Sequence, residues 1–237
     1  MRYRPRLHSR LYYRLLRAGF SFGALRSRLH AAQLRDTLAA LDINVLLDVG
    51  ANVGQFARRA RAIGYGKRIL SFEPCLETFR MLEMNLSSDP EWSGCRYALG
   101  QADGVAKLHL DKSSDMSSLL PNPDRPGQHV EQVEVRRLDS VLPELIASEP
   151  TPRIFLKTDA QGYDLWVLRG AERCLDLIRG VLMEVTQLPT YLDTPPYHEV
   201  LRFLWDNDFH VVDFRPVARS ADGRLIEFDV LACRPLT

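Results

Sequence analysis

The sequence predicts an α/β chain: an open, mostly parallel seven-stranded sheet with helices on both faces, an antiparallel edge and an N-terminal helical extension. Three observations predict it. Short apolar runs alternate with helix-like segments through the first half of the chain, which is the order of a parallel sheet with helical crossovers. The first run leads at once into a glycine-rich turn, Asp48 to Gly54. Two late apolar runs flank Asp222-Gly223, a tight-turn dipeptide that suits an antiparallel edge.

Residues 1–40 read as the extension and residues 41–237 as the main domain. Leu11, Leu15, Leu16, Phe20, Leu25, Leu29 and Leu34 recur at helical spacing, broken near Gly19 and Gly23, which predicts one or two helices packed on the main domain. Nine arginines less one acid, Asp36, give this stretch +8, while 22 bases and 29 acids leave −7 on the rest. Such an arm suits solvent or the acidic body; anionic lipid is a further partner, which would make the protein peripheral to a membrane. The expected strands are Val45–Val49 and residues 69–72, 96–99, 154–157, 181–185, 209–213 and 227–233. Helices are expected at residues 56–63 and 79–86, and at 198–206 after the rigid Pro195-Pro196 turn. Residues 105–110 and 132–136 alternate like a hairpin around a polar loop, 113–128, of a length usual for functional loops.

Composition narrows the class. Hydrophobic residues make up 46% and charged residues 26%, ordinary for a soluble globular protein. No apolar run approaches the roughly 20 residues of a membrane span. Arg14 and Arg17 interrupt the N-terminal apolar stretch, which argues against a secretory signal. Cys75, Cys95, Cys174 and Cys233 are scattered without a CxxC pair, the usage of free thiols in a reducing cytoplasm. His109 and His129 are too far apart to support a metal site. An exposed edge strand and an apolar arm are compatible with a homodimer.

The strongest motif is Asp48-Val49-Gly50-Ala51-Asn52-Val53-Gly54-Gln55-Phe56. Gly50 and Gly54 allow a sharp turn and close approach to a ligand, and a helix starting near Gln55 would offer free N–H groups to it. Glu73 stands where the second strand ends, suited to two ribose hydroxyls. The middle and third glycines of a dinucleotide fingerprint are missing, and Asp48 brings a negative charge. Both favour a cationic nucleoside such as S-adenosylmethionine over NAD. A second motif, Thr158-Asp159-Ala160-Gln161-Gly162-Tyr163-Asp164, follows the fourth strand, and Glu184 falls at the end of the next. Asp159 and Glu184 would then line one crevice, able to orient a hydroxyl, take its proton or hold a divalent metal, though no motif supports a metal. His198 stands in reserve.

These residues, with Phe72-Glu73-Pro74, Met116-Ser117-Ser118-Leu119, Leu138-Asp139 and Leu156 to Gly170, resemble the FkbM family of S-adenosylmethionine-dependent methyltransferases. The resemblance covers roughly residues 42–190. It implies a Rossmann-like class I methyltransferase fold and O-methylation, often of sugars in glycolipids, polysaccharides or natural products. Asp48, Gly50, Asn52, Gly54 and Gln55 would form the cofactor loop, Glu73 would hold the ribose and Ser117 would lie near the adenine. Asp159 would border methyl transfer, with Asp159 and Glu184 as candidate bases. Tyr163-Asp164 replaces the Ala-Glu often found there in the family. The acceptor implied is a small molecule or glycan rather than nucleic acid. A nucleic-acid methyltransferase and an inactive nucleoside-binding module remain as alternatives. Thr194-Pro195-Pro196-Tyr197 resembles the box of enzymes that methylate nucleobase amino groups, but it follows the fifth strand instead of the fourth.

Overall fold

The computed structural model describes residues 23–235; the expected helical stripe from Leu11 to Phe20 lies outside them. Helix α1 (Gly23–Ala40) leads into β1 (Val45–Val49), α2 (Gln55–Ala62), β2 (Arg68–Phe72), α3 (Leu76–Leu86) and β3 (Trp92–Cys95). A small sheet follows, from β4 (Ala98–Leu99), β5 (Gly104–Leu110) and β6 (His129–Arg136). The chain returns through α4 (Leu138–Leu145), β7 (Ile154–Thr158), α5 (Asp164–Arg169) and β8 (Ile178–Thr186), then ends with α6 (Tyr197–Asp206), β9 (His210–Arg219) and β10 (Leu225–Cys233). The main sheet has seven strands in the order β3-β2-β1-β7-β8-β10-β9. The five from β3 to β8 are parallel, and β10 runs antiparallel to both neighbours. The reversed strand therefore lies one in from the edge, which β9 forms.

Strand periodicity divides the core in two. Val45, Leu47, Val49, Leu156, Val181 and Met183 point to the face covered by α4, α5 and α6. Leu46, Ile69, Phe155, Leu182 and Leu231 point to the face packed with Leu34 and Leu38 of α1, Phe56 and Ala57 of α2, and Phe79 and Leu82 of α3. Sheets buried on both faces read as continuous apolar runs, which is why these strands were legible.

One strand differs from expectation. The third strand of the main sheet is Trp92–Cys95, not residues 96–99; Ala98–Leu99 does form a strand, but pairs with β6 in the small sheet. Trp92-Ser-Gly-Cys95 buries fully only Cys95, so an edge strand left no apolar run to read. The hairpin of β5 and β6 forms as expected, and Asp222-Gly223 turns the chain between β9 and β10. Cys75, Cys95, Cys174 and Cys233 are free thiols. No helix among the described residues is long and apolar enough to cross a membrane.

Candidate functional site

A cavity of about 300 Å³ opens at the carboxyl ends of β1, β2, β7 and β8, where open α/β sheets bind ligands. Its floor is the turn after β1. Gly50 adopts φ +66°, and a Cβ there would fall 2.0 Å from the Asp159 carbonyl oxygen. Only glycine lets the β1 and β7 turns meet this closely. Asn52 is also left-handed at φ +48°, and Gly54 at φ +87° caps α2. Gly50, Ala51, Asn52 and Gln55 line the cavity, with Arg59 one turn further along α2. Gly54 lies behind it, where an added Cβ would meet Leu82 and Leu86 of α3.

Glu73, 8% exposed, closes one wall. Its two oxygens accept the backbone N–H groups of Asn52 and Cys75, each at 3.0 Å. Burial raises its carboxyl to about 7, with those two N–H bonds opposing the shift. The loop after β5 forms the roof: Ser114, Asp115, Ser117 and Ser118 line the cavity, and the Ser114 hydroxyl donates to Asn52 Oδ1 at 2.9 Å. Ser117 also braces this loop, accepting the Asp111 N–H at 3.1 Å.

Asp48 lies elsewhere than the motif suggests. It is fully buried and is not part of the cavity lining. The parallel register sets it directly beside Ser71 on β2 and Lys157 on β7, so its side chain shares their face under α2. The Lys157 ammonium stands 3.0 Å from Asp48 and 3.9 Å from Asp159, and donates to the carbonyls of Val49 at 3.2 Å and Gly50 at 3.1 Å. Burial works against the charge of Lys157, but Asp48 and Asp159 outweigh it and hold its value above that of an ordinary lysine. The charge of Asp48 is thus met by Lys157, and any preference of the cavity for a cation rests on other carboxylates.

Those carboxylates form the opposite wall, where Asp159, Glu184 and Asp229 all line the cavity. Register places Asp229 of β10 directly opposite Glu184 of β8, so both point to the same side of the sheet. Burial, then the charge of Asp159 and of other nearby acids, pushes Glu184 up to about 9. Asp229 rises to about 6, chiefly by burial, with Arg215 opposing. The Gln161 carboxamide sits between the two expected acids, 2.9 Å from Asp159 Oδ1 and 3.5 Å from Glu184 Oε1. The structure places Asp159 and Glu184 on one wall, together with Asp229 and, beneath the turn, Lys157, two residues that the motifs do not point to. A lone lysine inside the apolar run Ile154–Thr158 was the available signal for Lys157; Asp229, in an antiparallel strand far along the chain, offered none.

Other singled-out residues are structural. Asp164 accepts the Thr158 hydroxyl at 2.8 Å and the Ala160 N–H at 3.0 Å, bracing the turn after β7. Asp139 is held by Arg137 and Arg173. Thr194 donates to the Tyr191 carbonyl at 3.0 Å, and Pro196 precedes α6. His198 is exposed on α6, edge-on to Tyr197, outside the cavity. Among the described residues, no group of three or more His, Cys, Asp or Glu side chains is placed to hold a metal ion.

The model of the methyltransferase FkbM domain matches residues 48–211, well over half of the chain. The chain belongs to the FkbM methyltransferase family. S-adenosylmethionine is accordingly its methyl donor, and the cavity fits that molecule. Glu73 has free lone pairs that a ribose could use, the glycine turn admits close approach, and three carboxylates, Asp159, Glu184 and Asp229, line the cavity and suit a cationic ligand. The FkbM chain is similar to the rRNA methylase from Streptococcus thermophilus, with 10% identity over 86% of this chain and 95% of that one and a TM-score of 0.47. It is similar to precorrin-6y C5,15-methyltransferase from Geobacter metallireducens GS-15 at 14% identity, 86% and 88% coverage, and 0.45. Aeropyrum pernix fibrillarin with natively bound S-adenosyl-L-methionine is similar at 14% identity, 80% and 66% coverage, and 0.45. Comparison with curated proteins gives no match.

Proposed function

We propose that this methyltransferase acts on a hydroxyl oxygen, most simply that of a neutral sugar in a glycolipid, polysaccharide or natural product. The observation that carries this reading is the pair Asp159 and Glu184 on the cavity wall, with the Gln161 carboxamide between them. A hydroxyl is a poor nucleophile at neutral pH, and a positioned base contributes roughly 10²–10⁴-fold in rate. As the acceptor oxygen bonds to the methyl carbon and the carbon–sulfur bond breaks, the hydroxyl proton passes to one of these carboxylates. S-adenosylhomocysteine is the second product.

The other residues do the binding. Glu73 would accept the ribose hydroxyls, Asn52 and Gln55 of the glycine turn would border the same ligand, and Ser117 would hold the adenine end. Arg59, which also lines the cavity, would meet the amino-acid carboxylate. Holding acceptor and donor in line removes about 7–11 kcal/mol of barrier in favourable cases. Burial and neighbouring acids raise the Glu184 carboxyl, and a bound cation favours its ionised form, the one that takes a proton. The same acidic wall repels phosphate, which disfavours RNA or DNA as acceptor.

The test is incubation with S-adenosyl-[methyl-¹⁴C]methionine and separate pools of neutral sugars, amino sugars and oligonucleotides. Label is expected in the neutral sugars, with D159N and E184Q each lowering turnover about 10²-fold. Label confined to oligonucleotides, or full turnover in both variants, overturns the reading.

A further inference from the structure

Gln161 is held in an unusual place. Its φ is +50°, the left-handed region that costs a side-chain-bearing residue sterically. Backbone strain of this kind persists where the surroundings over-determine it, and here they do. The Gln161 carbonyl accepts the Ser118 hydroxyl at 2.8 Å. Its carboxamide nitrogen stands 2.9 Å from Asp159 Oδ1 and 3.5 Å from Glu184 Oε1. Its carboxamide oxygen is 3.0 Å from the Tyr191 hydroxyl, which is also 2.9 Å from the Met116 carbonyl.

The donor and acceptor inventory fixes which way the amide faces. The Tyr191 hydroxyl can donate to the amide oxygen and a carboxylate oxygen can accept from the amide nitrogen, so the NH₂ group faces Asp159 and Glu184 and the oxygen faces Tyr191. One group that does not titrate thus stands between the two acids. Asp159 takes the shorter bond and Glu184 the longer. Tyr191 is 5% exposed, and its single hydroxyl proton is shared between the amide oxygen and the Met116 carbonyl.

We propose that Gln161 is the positioning residue of the acceptor site: its carboxamide spans Asp159 and Glu184 and sets which carboxylate oxygen faces the acceptor. Tyr191 holds the carboxamide in that orientation. The inference rests on the hydroxyl-methylation reading for its effect on turnover, but not for its effect on the carboxylates. Asp159 and Lys157 from the end of β7, Asp164 from α5, Glu184 from β8 and Glu227 and Asp229 from β10 all face this cluster. Loss of the amide therefore leaves several acids facing one another with one fewer donor among them.

Q161G tests this, because glycine adopts the left-handed backbone freely and removes only the side chain. Y191F supplies a second variant, which leaves the amide present but unlocked. Carboxyl ¹³C titrations of Asp- and Glu-labelled protein, with S-adenosylhomocysteine bound, read the acids without an acceptor; E184Q assigns the Glu184 step. That step is expected to move up by about one pH unit in Q161G, and by less in Y191F. With a neutral sugar acceptor, Q161G is expected to lose at least about tenfold in kcat with the KM for the donor within about twofold. Coincident titration steps in Q161G and wild type would overturn the proposal, as would equal losses of kcat and S-adenosylhomocysteine affinity. Absence of sugar methylation in the wild type would overturn the proposed function alone, because the titration does not depend on it.

Discussion

Replacing Lys157 with methionine tests whether the cofactor turn is held from beneath. The substitution keeps an apolar stem of similar length and removes a buried ammonium. It deletes the 3.0 Å ion pair with Asp48 and the bonds to the Val49 and Gly50 carbonyls at 3.2 and 3.1 Å. Asp48, at 0% exposure, is left as an uncompensated buried charge. Removing one partner of a buried pair costs about 3–5 kcal/mol. In a chain of this size each kcal/mol moves Tm by about 2–4 °C, so a fall of roughly 6–20 °C is expected. The double variant D48L/K157M removes the stranded charge and should recover most of that loss, because apolar replacement of a buried pair is often neutral or stabilising. Thermal melts followed by circular dichroism, with and without S-adenosylhomocysteine, give both numbers. A single variant within about 1 kcal/mol of wild type, or a double variant no better than the single, would refute the reasoning.

Gly50→Ala introduces a Cβ 2.0 Å from the Asp159 carbonyl at φ +66°. The β1 and β7 turns must separate, and affinity for S-adenosylhomocysteine should fall at least about tenfold by calorimetry, about 1.4 kcal/mol. If Glu73, raised to about 7 by burial, holds the ribose as proposed, it does so best when ionised. Product affinity should therefore climb as pH rises from about 6 to about 8, and E73Q should lose that climb. Glu184, raised from 4.5 to about 9 by burial and neighbouring acids, favours the fold while protonated. Its contribution is fully present below its unfolded value and is lost as pH rises through the folded one. The Tm of wild type should thus fall relative to E184Q between about pH 5 and about pH 9; parallel melting curves would contradict this.

The parallel sheet was legible because Val45–Val49 and its neighbours are buried on both faces and carry uninterrupted apolar runs. The turn after β1 was legible because close approach of the β1 and β7 turns demands glycine. Trp92–Cys95 escaped because an edge strand with one fully buried residue has no such run. Helix α4 escaped because Pro143 lies inside it. The buried placement of Asp48 was not legible for a different reason: its partner Lys157 lies 109 residues away, and only the β1–β7 register joins them. Asp229 reaches the cavity wall beside Glu184 through the antiparallel pairing of β10 with β8, which local pattern does not encode.

The most direct measurement is a ¹H–¹³C spectrum of the product made with a donor carrying a ¹³C methyl group and a neutral sugar acceptor. A cross-peak in the methyl-ether region, abolished by D159N/E184Q, is the expected result. A methyl bound to nitrogen or carbon, or a donor left unconsumed with every hydroxyl acceptor offered, would contradict hydroxyl methylation at the Asp159–Glu184 wall.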